Sequence, residues 1–440
     1  MKGIMIAVAV LFGASMFYGL GYRGLKGDFG GQGKSDVLAK VNGKEIDPLR
    51  FREIMNRVVQ GFGQNLTVQD LPFVSNLALG QAIDFTLLLG EANKKVRVSG
   101  REVDSAIEGI MRQQRVSNKK DLENALKRAG IDYGKFRDLI RDEIAVQKLS
   151  MRLREEVKVT PDDLREVKAS HILLSTEAEA KLILDKVKGG EDFAALAKQY
   201  SLDAISAAKG GDVGYFSTGS MVEPFEAAAF SLKKGETSGI VKSQFGYHII
   251  RVADSRLRKF PGPEKDIEKV ALQEKQENTF KRWYANIRNN AKIEIISPEL
   301  KANDYRFKGR LAEAVAEYNK AVKLTPMNPF LHIYLGDTYF ALRQKDLAIN
   351  EYETAVKMQG GNPEFYLVLG KAYESLGEKG LAADQYKKAS MVAGDNKPFH
   401  ERLLKLFEAM KRPAEVAMEK KEISRIDKKI NFEKQLNGSK

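Results

Sequence analysis

Residues 245–252, FGYHIIRV, place a histidine inside a run of β-branched and aromatic side chains. Such a run reads as a strand, and the 440-residue chain has four histidines in all, His171, His248, His332 and His400. Taken singly, a histidine there is most simply a hydrogen-bonded core residue. Its company changes that reading. His171 lies in a second strand-like run, VKASHILL (167–174), and GDVGYF (211–216) gives a shorter third. Helical stretches separate them, EAEAKLILDKV (177–187) and EDFAALAKQYS (191–201). Residues 166–256 therefore read as a compact α+β unit, set off from its surroundings by the change in apolar period.

Between the two histidines runs YSLDAISAAKGGDVGYFSTGSMVEPFEAAAF (200–230). By residue type alone, Asp203 caps the short turn AISAA, and Gly210, Gly211 and Gly214 are turn residues. Met221 and Phe225, four apart, read as core residues at the start of a helix. Together these stretches resemble the parvulin family of peptidyl-prolyl isomerases. SHILL, YSLD, GGDVGYF, GSMVEPFEAAAF and FGYHIIRV follow one another in the family's order and spacing across about 166–254. The resemblance implies a four-stranded antiparallel sheet wrapped by helices, with both histidines on central strands beneath a substrate proline. It implies catalytic roles for His171, Asp203 and His248, the histidines forming a hydrogen-bond network with Asp203 near the rotating carbonyl. It further implies a proline pocket of Met221 and Phe225 with Val213 on its wall, and Ser243 and Phe245 on the hairpin rim beside it.

The chemistry suits these residue types. Rotation about an X–Pro bond faces a barrier of roughly 20 kcal/mol because the amide has partial double-bond character. No bond is cleaved, so neither a nucleophile nor a metal nor a cofactor is expected. A dry apolar grip on the proline ring, with polar groups that favour the twisted amide over the planar one, suffices in kind. HILLSTEAEAK (171–181) passes directly into a helix without an arginine cluster, so X–Pro substrates without a phosphate are expected.

Outward from this unit the chain changes character. VLAKVNGKEID (37–47) sets Asn42-Gly43 between alternating apolar positions, a hairpin signal, and Asp47-Pro48 opens a helix. The pattern to about 165 is helical. Ser99 and Asn118 read as N-caps, Gly130 as a stop, and TPDD (160–163) as the start of another helix. Val103, Ile107 and Ile110 form one apolar face that requires burial. After the α+β unit comes one charged helix, EKDIEKVALQEKQENTFKRWYANIRNNA (264–291), ending in KIEII. Its stripe Phe280, Trp283 and Ile287 is expected to pack on the N-terminal helices, so that 257–297 completes the helical domain 37–165 around an inserted 166–256. An isomerase unit inserted in a helical domain that opens AKVNGKEID resembles the SurA, PrsA and PpiD group of extracytoplasmic chaperones.

The remainder repeats. Ala314, Tyr318 and Ala321 recur as Ala348, Tyr352 and Ala355 and again as Ala382, Tyr386 and Ala389, in steps of 34 residues. Leu335-Gly336 with Tyr339 recurs as Leu369-Gly370 with Tyr373. Period and residue classes resemble the tetratricopeptide repeat, in which small residues let paired helices approach and aromatics fill the seam. Three repeats are expected over 298–396, then a capping helix and a basic tail over 397–440. The fold class is thus multidomain: an α-helical chaperone-like domain, an inserted α+β parvulin domain and an α-helical repeat solenoid.

At the N-terminus, IMIAVAVLFGASMFYGLGY (4–22) is uncharged and close to the ~20 residues that cross a bilayer. It closes in YGLGYRG with bulky tyrosines, as interfacial anchors do, whereas a cleaved signal usually has a shorter apolar stretch and a small-x-small site near its end. Residues 1–22 read as an uncleaved signal anchor in the membrane-tethered style of PpiD, with a cleaved signal and a soluble exported protein as the alternative. Residues 23–36 form a glycine-rich linker. The formal charge of +13 is spread along the chain and comes without an aromatic-basic platform, so nucleic acid is not an expected partner. The absence of cysteine excludes disulfides, thiol catalysis and thiolate zinc sites. The expected function is a membrane-anchored isomerase and folding chaperone for exported unfolded polypeptides, acting on the periplasmic side, with a protein partner on the repeats. The alternatives are a non-catalytic holdase whose parvulin unit only binds extended segments, and a repeat scaffold.

Overall fold

The computed structural model describes residues 37–62, 66–259 and 266–438, and the N-terminal segment 1–22 read as an anchor lies outside them. Seven strands run through the described residues: β1 (Ala39–Val41), β2 (Lys44–Glu45), β3 (Arg165–Leu174), β4 (Asp212–Phe216), β5 (Val241–Ser243), β6 (Gly246–Leu257) and β7 (Ile293–Ile295). Helices make up most of the rest. The chain divides into two compact units, one built from residues up to Gln147 together with those from Ala291 onward, the other from Lys148–Asn290.

In the first unit the strands follow the order β2-β1-β7. Asn42 and Gly43, at φ 51° and 80°, make the two-residue turn that the Asn-Gly pair predicts. Helix Pro48–Phe62 begins where Asp47 accepts the Leu49 N–H at 2.8 Å. Ser99 and Glu102 close a reciprocal capping box, the Ser99 N–H donating to Glu102 Oε2 at 2.8 Å. Val103, Ile107 and Ile110 are buried against Leu122, Phe136 and Ile140. One helical stretch among the described residues, Val68–Lys95, is long and apolar enough to cross a membrane by length and composition, and half of it is buried. Val74, Ala78, Leu79, Ile83 and Leu87 within it face the core that β1 covers, so it serves as a core helix.

The repeat region forms four helical hairpins. Pro298–Phe307 pairs with Leu311–Leu324, Pro329–Ala341 with Lys345–Met358, Pro363–Ser375 with Lys379–Val392, and Lys397–Ala409 with Pro413–Gly438. The nine repeating alanines and tyrosines are all buried. Gly336 and Gly370 explain the close approach: a Cβ on either would come within 2.5 Å of the Tyr352 ring or 2.3 Å of the Tyr386 ring. The capping helix and tail expected over 397–440 form, as far as residue 438, a helical hairpin, whose second helix is solvent-exposed from Lys428 to Gln435. Lys411, at φ 56°, turns the chain, Pro413 starts the second helix, and buried His400 Nδ1 meets buried Glu419 at 2.7 Å. The first hairpin is also continuous with the N-terminal core. Leu300 joins that core, while Val68 and Leu71 join the repeats, and Gln69 Nε2 donates to Asp337 at 2.7 Å.

The second unit holds a four-stranded antiparallel sheet of order β4-β3-β6-β5. Strand alternation divides its residues. Ile172, Leu174 and Ile249 face helices Glu177–Lys188 and Phe193–Tyr200. Val167, Ala169, Ile250 and Val252 face Phe216 and helix Glu223–Ser231. His171 and His248 continue this second face, in register opposite Ile250 and Leu173. TPDD forms a four-residue 3-10 turn, Pro161–Leu164, in place of the expected helix, because Arg165 already pairs with Leu257 in the sheet. The segment read as completing the helical domain is divided between the units: β7 pairs with β1, whereas helix Ile267–Asn289 belongs to the second unit. Ion pairs tie this helix to the second unit. Lys275 meets Asp163 at 2.7 Å, Arg258 meets Glu274 at 2.7 Å, and Ala271 is its buried residue.

Candidate active site

His171 and His248 lie side by side on the inner face of the sheet, rings 5.4 Å apart and nearly parallel, with their Nδ1 atoms 3.2 Å apart. Both are almost fully buried. The outer nitrogen of each has a partner. His171 Nε2 lies 2.9 Å from Asp203 Oδ2 and 3.0 Å from Ser206 Oγ, and His248 Nε2 lies 2.7 Å from Ser243 Oγ. Ser206 Oγ donates to Asp203 Oδ2 at 2.7 Å, and Ser243 Oγ accepts the Phe245 N–H at 3.0 Å. Asp203, Ser206, His171, His248 and Ser243 thus form one connected polar chain.

Electrostatics give that chain a direction. The Ser206 hydroxyl, and then the His171 ring, hold the Asp203 carboxyl down at about 2 against the opposing effect of burial. The ionised carboxylate can only accept, so His171 donates to it from Nε2. With both rings neutral, the Nδ1–Nδ1 contact takes a single proton, and it lies on His248. Ser243 in turn donates its hydroxyl proton to His248 Nε2. The single His171 Nε2–H is shared between Asp203 Oδ2 and Ser206 Oγ, so each polar group of this water-poor face has a partner. Burial first, and the neighbouring His171 ring second, push the His248 pKa down from 6.5 to about 4.

Apolar residues close over this chain. Phe225 stands edge-on to both imidazoles, with centroids 5.5 Å from His171 and 5.4 Å from His248. Phe216 packs behind it at 5.8 Å, and half-buried Val213 and Met221 border the same cluster. Val213, Phe216 and Met221 also line an open cleft of about 620 Å³. Phe245 is 61% exposed and joins the polar chain by its backbone N–H alone among the described contacts.

Three residues outside the expected set, Ser206, Glu226 and Asp163, matter to this geometry. Ser206 supplies the hydroxyl that links Asp203 to His171; its position three after Asp203 is the spacing of a cap pair, which could have marked it. Glu226 accepts the Gly219 N–H at 2.9 Å and the Met221 N–H at 2.7 Å, fixing the loop that carries Met221. Asp163 holds the same loop from beneath, accepting from the Thr218 hydroxyl at 2.8 Å and from Lys275 at 2.7 Å. Gly211 sits at φ 85° where a Cβ would fall 2.4 Å from the His171 carbonyl oxygen, so the GG turn can lie against the strand only without a side chain.

Comparison with known proteins assigns the parts. Residues 151–256 match the family described as PPIC-type PPIASE domain, and residues 1–150 the SurA-like N-terminal domain. Residues 302–343 match a TPR repeat and 334–398 a tetratricopeptide repeat. The foldase protein PrsA of Caldanaerobacter subterraneus subsp. tengcongensis is 32% identical over 290 residues, 60% of this chain and 89% of that protein. The chain belongs to the PrsA foldase family. The PrsA of Bacillus subtilis is 34% identical over 220 residues, 48% of this chain and 72% of its own length. A crystal structure of the peptidylprolyl isomerase PrsA from Bacillus anthracis is 31% identical, covers 48% of this chain and 94% of that chain, and has a TM-score of 0.29. This PrsA-family chain is a parvulin-type peptidyl-prolyl isomerase and folding chaperone that carries C-terminal tetratricopeptide repeats.

Proposed function

We propose that the isomerase unit turns X–Pro bonds of unfolded exported polypeptides, with His171, Asp203 and His248 as its catalytic polar chain. The proline ring enters between Val213, Met221 and Phe225, where the apolar walls exclude water. Ser243 and Phe245 form the rim on the hairpin side. As the amide twists it loses conjugation, and fixed dipoles beside the carbonyl favour the twisted form at no cost of reorientation. The observation that carries this reading is the coincidence of the directed chain from Ser243 to Asp203 with the Phe225 ring edge-on to both imidazoles. The test is X–Pro peptide isomerisation by the full chain compared with Asp203→Ala and Phe225→Ala. Both variants should lose most activity, and full activity in both sinks the proposal.

The uncharged stretch 4–22 supports an uncleaved membrane anchor with the rest of the chain on the extracytoplasmic side. Fractionation with protease added to intact and opened cells tests this, and a chain protected in both would overturn it. A non-catalytic holdase role has its own support in the first unit. Phe62, Phe73 and Phe307 are each more than two-fifths exposed, with rings 6.2 and 5.9 Å apart in succession, an aromatic patch suited to extended apolar segments. Aggregation suppression that survives Phe225→Ala but not replacement of these three would favour it.

A further inference from the structure

We propose that the client groove continues past the proline pocket into a cleft beneath helix Ile267–Asn289, where Asn278, Arg282 and Trp283 receive residues flanking the isomerised proline. The proposal rests on the reading of Val213, Met221 and Phe225 as the proline pocket. It concerns a helix beyond the 151–256 isomerase match.

Continuity is the first argument. The cleft beside Val213 and Met221 and a second cleft of about 660 Å³ against the helix share Ser217, Ser220 and Arg258 in their linings. A chain leaving the proline pocket over Ser217 and Ser220 passes from one into the other. The second argument is which groups are already used. The cleft's floor is saturated: Asp163 accepts from Thr160, Thr218 and Lys275, and Glu226 accepts two backbone N–H groups. The wall is not. Asn278 and Arg282 make no hydrogen bond or ion pair among the described residues, yet both reach towards the loop. A Cβ on Gly219 would stand 3.6 Å from Asn278 Nδ2 and 3.9 Å from Arg282 Nη2. These are donors, and Trp283 beside them offers a half-buried indole. The matching ligand is extended polypeptide, whose backbone carbonyls or a carboxylate meet the donors while an apolar side chain meets the indole. Binding energy of this kind, far from the reacting amide, can lower the barrier for long substrates while remaining out of reach of short ones.

The test compares a blocked tetrapeptide containing one X–Pro bond with the same core extended by six residues on each side, using the full chain and its Asn278→Ala/Arg282→Ala variant. The variant's loss in kcat/KM on the extended peptide should exceed its loss on the tetrapeptide by about fivefold or more, the scale of one or two hydrogen bonds. Trp283 is the chain's sole tryptophan, so in the unmodified chain an extended peptide lacking tryptophan should shift its fluorescence and the tetrapeptide should not. Equal losses on both peptides, no loss on either, or an unmoved Trp283 signal with bound extended peptide each overturn the proposal. Phe225→Ala is the companion variant: if it leaves tetrapeptide turnover intact, the pocket reading itself has failed.

Discussion

Lowering the pH from 7 to 4 should weaken the isomerase unit through His248, and the size of the effect follows from the site. His248 is buried and its pKa falls from 6.5 to about 4. Between those values the unfolded chain binds a proton at this ring that the folded chain does not. Stability is therefore full above 6.5, declines as the pH falls through the window, and stops declining on this account near 4. A unit of pKa corresponds to about 1.36 kcal/mol, so the whole window is worth about 3 kcal/mol. Trp283 lies in the same unit and provides the signal for urea unfolding of the full chain. Carboxylates add their own losses lower down. Asp203 and Asp254, both held near 2, lose theirs as the pH falls from 3.8 towards that value. Subtracting a His248→Gln series run in parallel isolates the imidazole. Activity should follow the same order, holding from pH 8 to about 5 and collapsing nearer 4. A parent and variant with the same pH slope between 6.5 and 4.5, or an NMR titration placing His248 at 6 or above, would refute the reasoning.

Three further outcomes are expected. Gly211→Ala must move the GG turn off β3, since its Cβ would meet the His171 carbonyl at 2.4 Å from a backbone at φ 85°; crowding and strain together should cost about 2–4 kcal/mol in urea unfolding read at Trp283, with loss of isomerisation. Glu226→Gln keeps one acceptor for the Gly219 and Met221 N–H groups and Glu226→Ala keeps none, so KM should rise from parent to Gln to Ala. The Ala variant should fall roughly tenfold in kcat/KM, about half of what a charge-assisted bond can supply. Gly370→Ala would drive a methyl into the Tyr386 ring at 2.3 Å. It should destabilise the repeats by roughly 1–3 kcal/mol in thermal unfolding while tetrapeptide isomerisation stays at parental level.

Much of the architecture was legible because its signals are local or periodic. Runs of β-branched and aromatic residues marked β3 and β6, the Asn-Gly pair marked the first hairpin, and the 34-residue period marked the repeats. What escaped depended on partners distant in sequence. The Thr160 cap has the residues of a helix start, but pairing of Arg165 with Leu257 stops the turn after four residues. The helix Ile267–Asn289 shows an apolar stripe, yet Lys275 and Asp163, 112 residues apart, help decide where it goes. The fourth repeat hairpin had left a trace that residue classes alone concealed. Asn328, Asn362 and Asn396 cap successive first helices in steps of 34, with proline one or two residues on, and each side chain accepts a backbone N–H. Asparagine and proline are common enough in turns that the period, not the pair, carries this information.

At the candidate site the residue types were readable and their connections were not. Nothing in SHILL or FGYHIIRV says that the two rings meet through Nδ1, or that serines sit at both ends. Those contacts also bear on whether the histidines merely hold the sheet. A network serving only the sheet has no need to surface, since each exposed end exchanges a protein partner for water. This one surfaces twice. The Asp203 side chain is 30% exposed at one end, and Ser243 is half-buried beneath exposed Phe245 at the other. Between those ends the imidazoles are buried, and the ionised Asp203 accepts from His171 Nε2. Fixed dipoles that reach the surface can act on a bound amide without first turning, and low local dielectric strengthens them. If Asp203→Asn leaves the 15N signature of both tautomers and the rate of X–Pro rotation unchanged, that carboxylate does not set the direction, and the two serine ends are no more than caps.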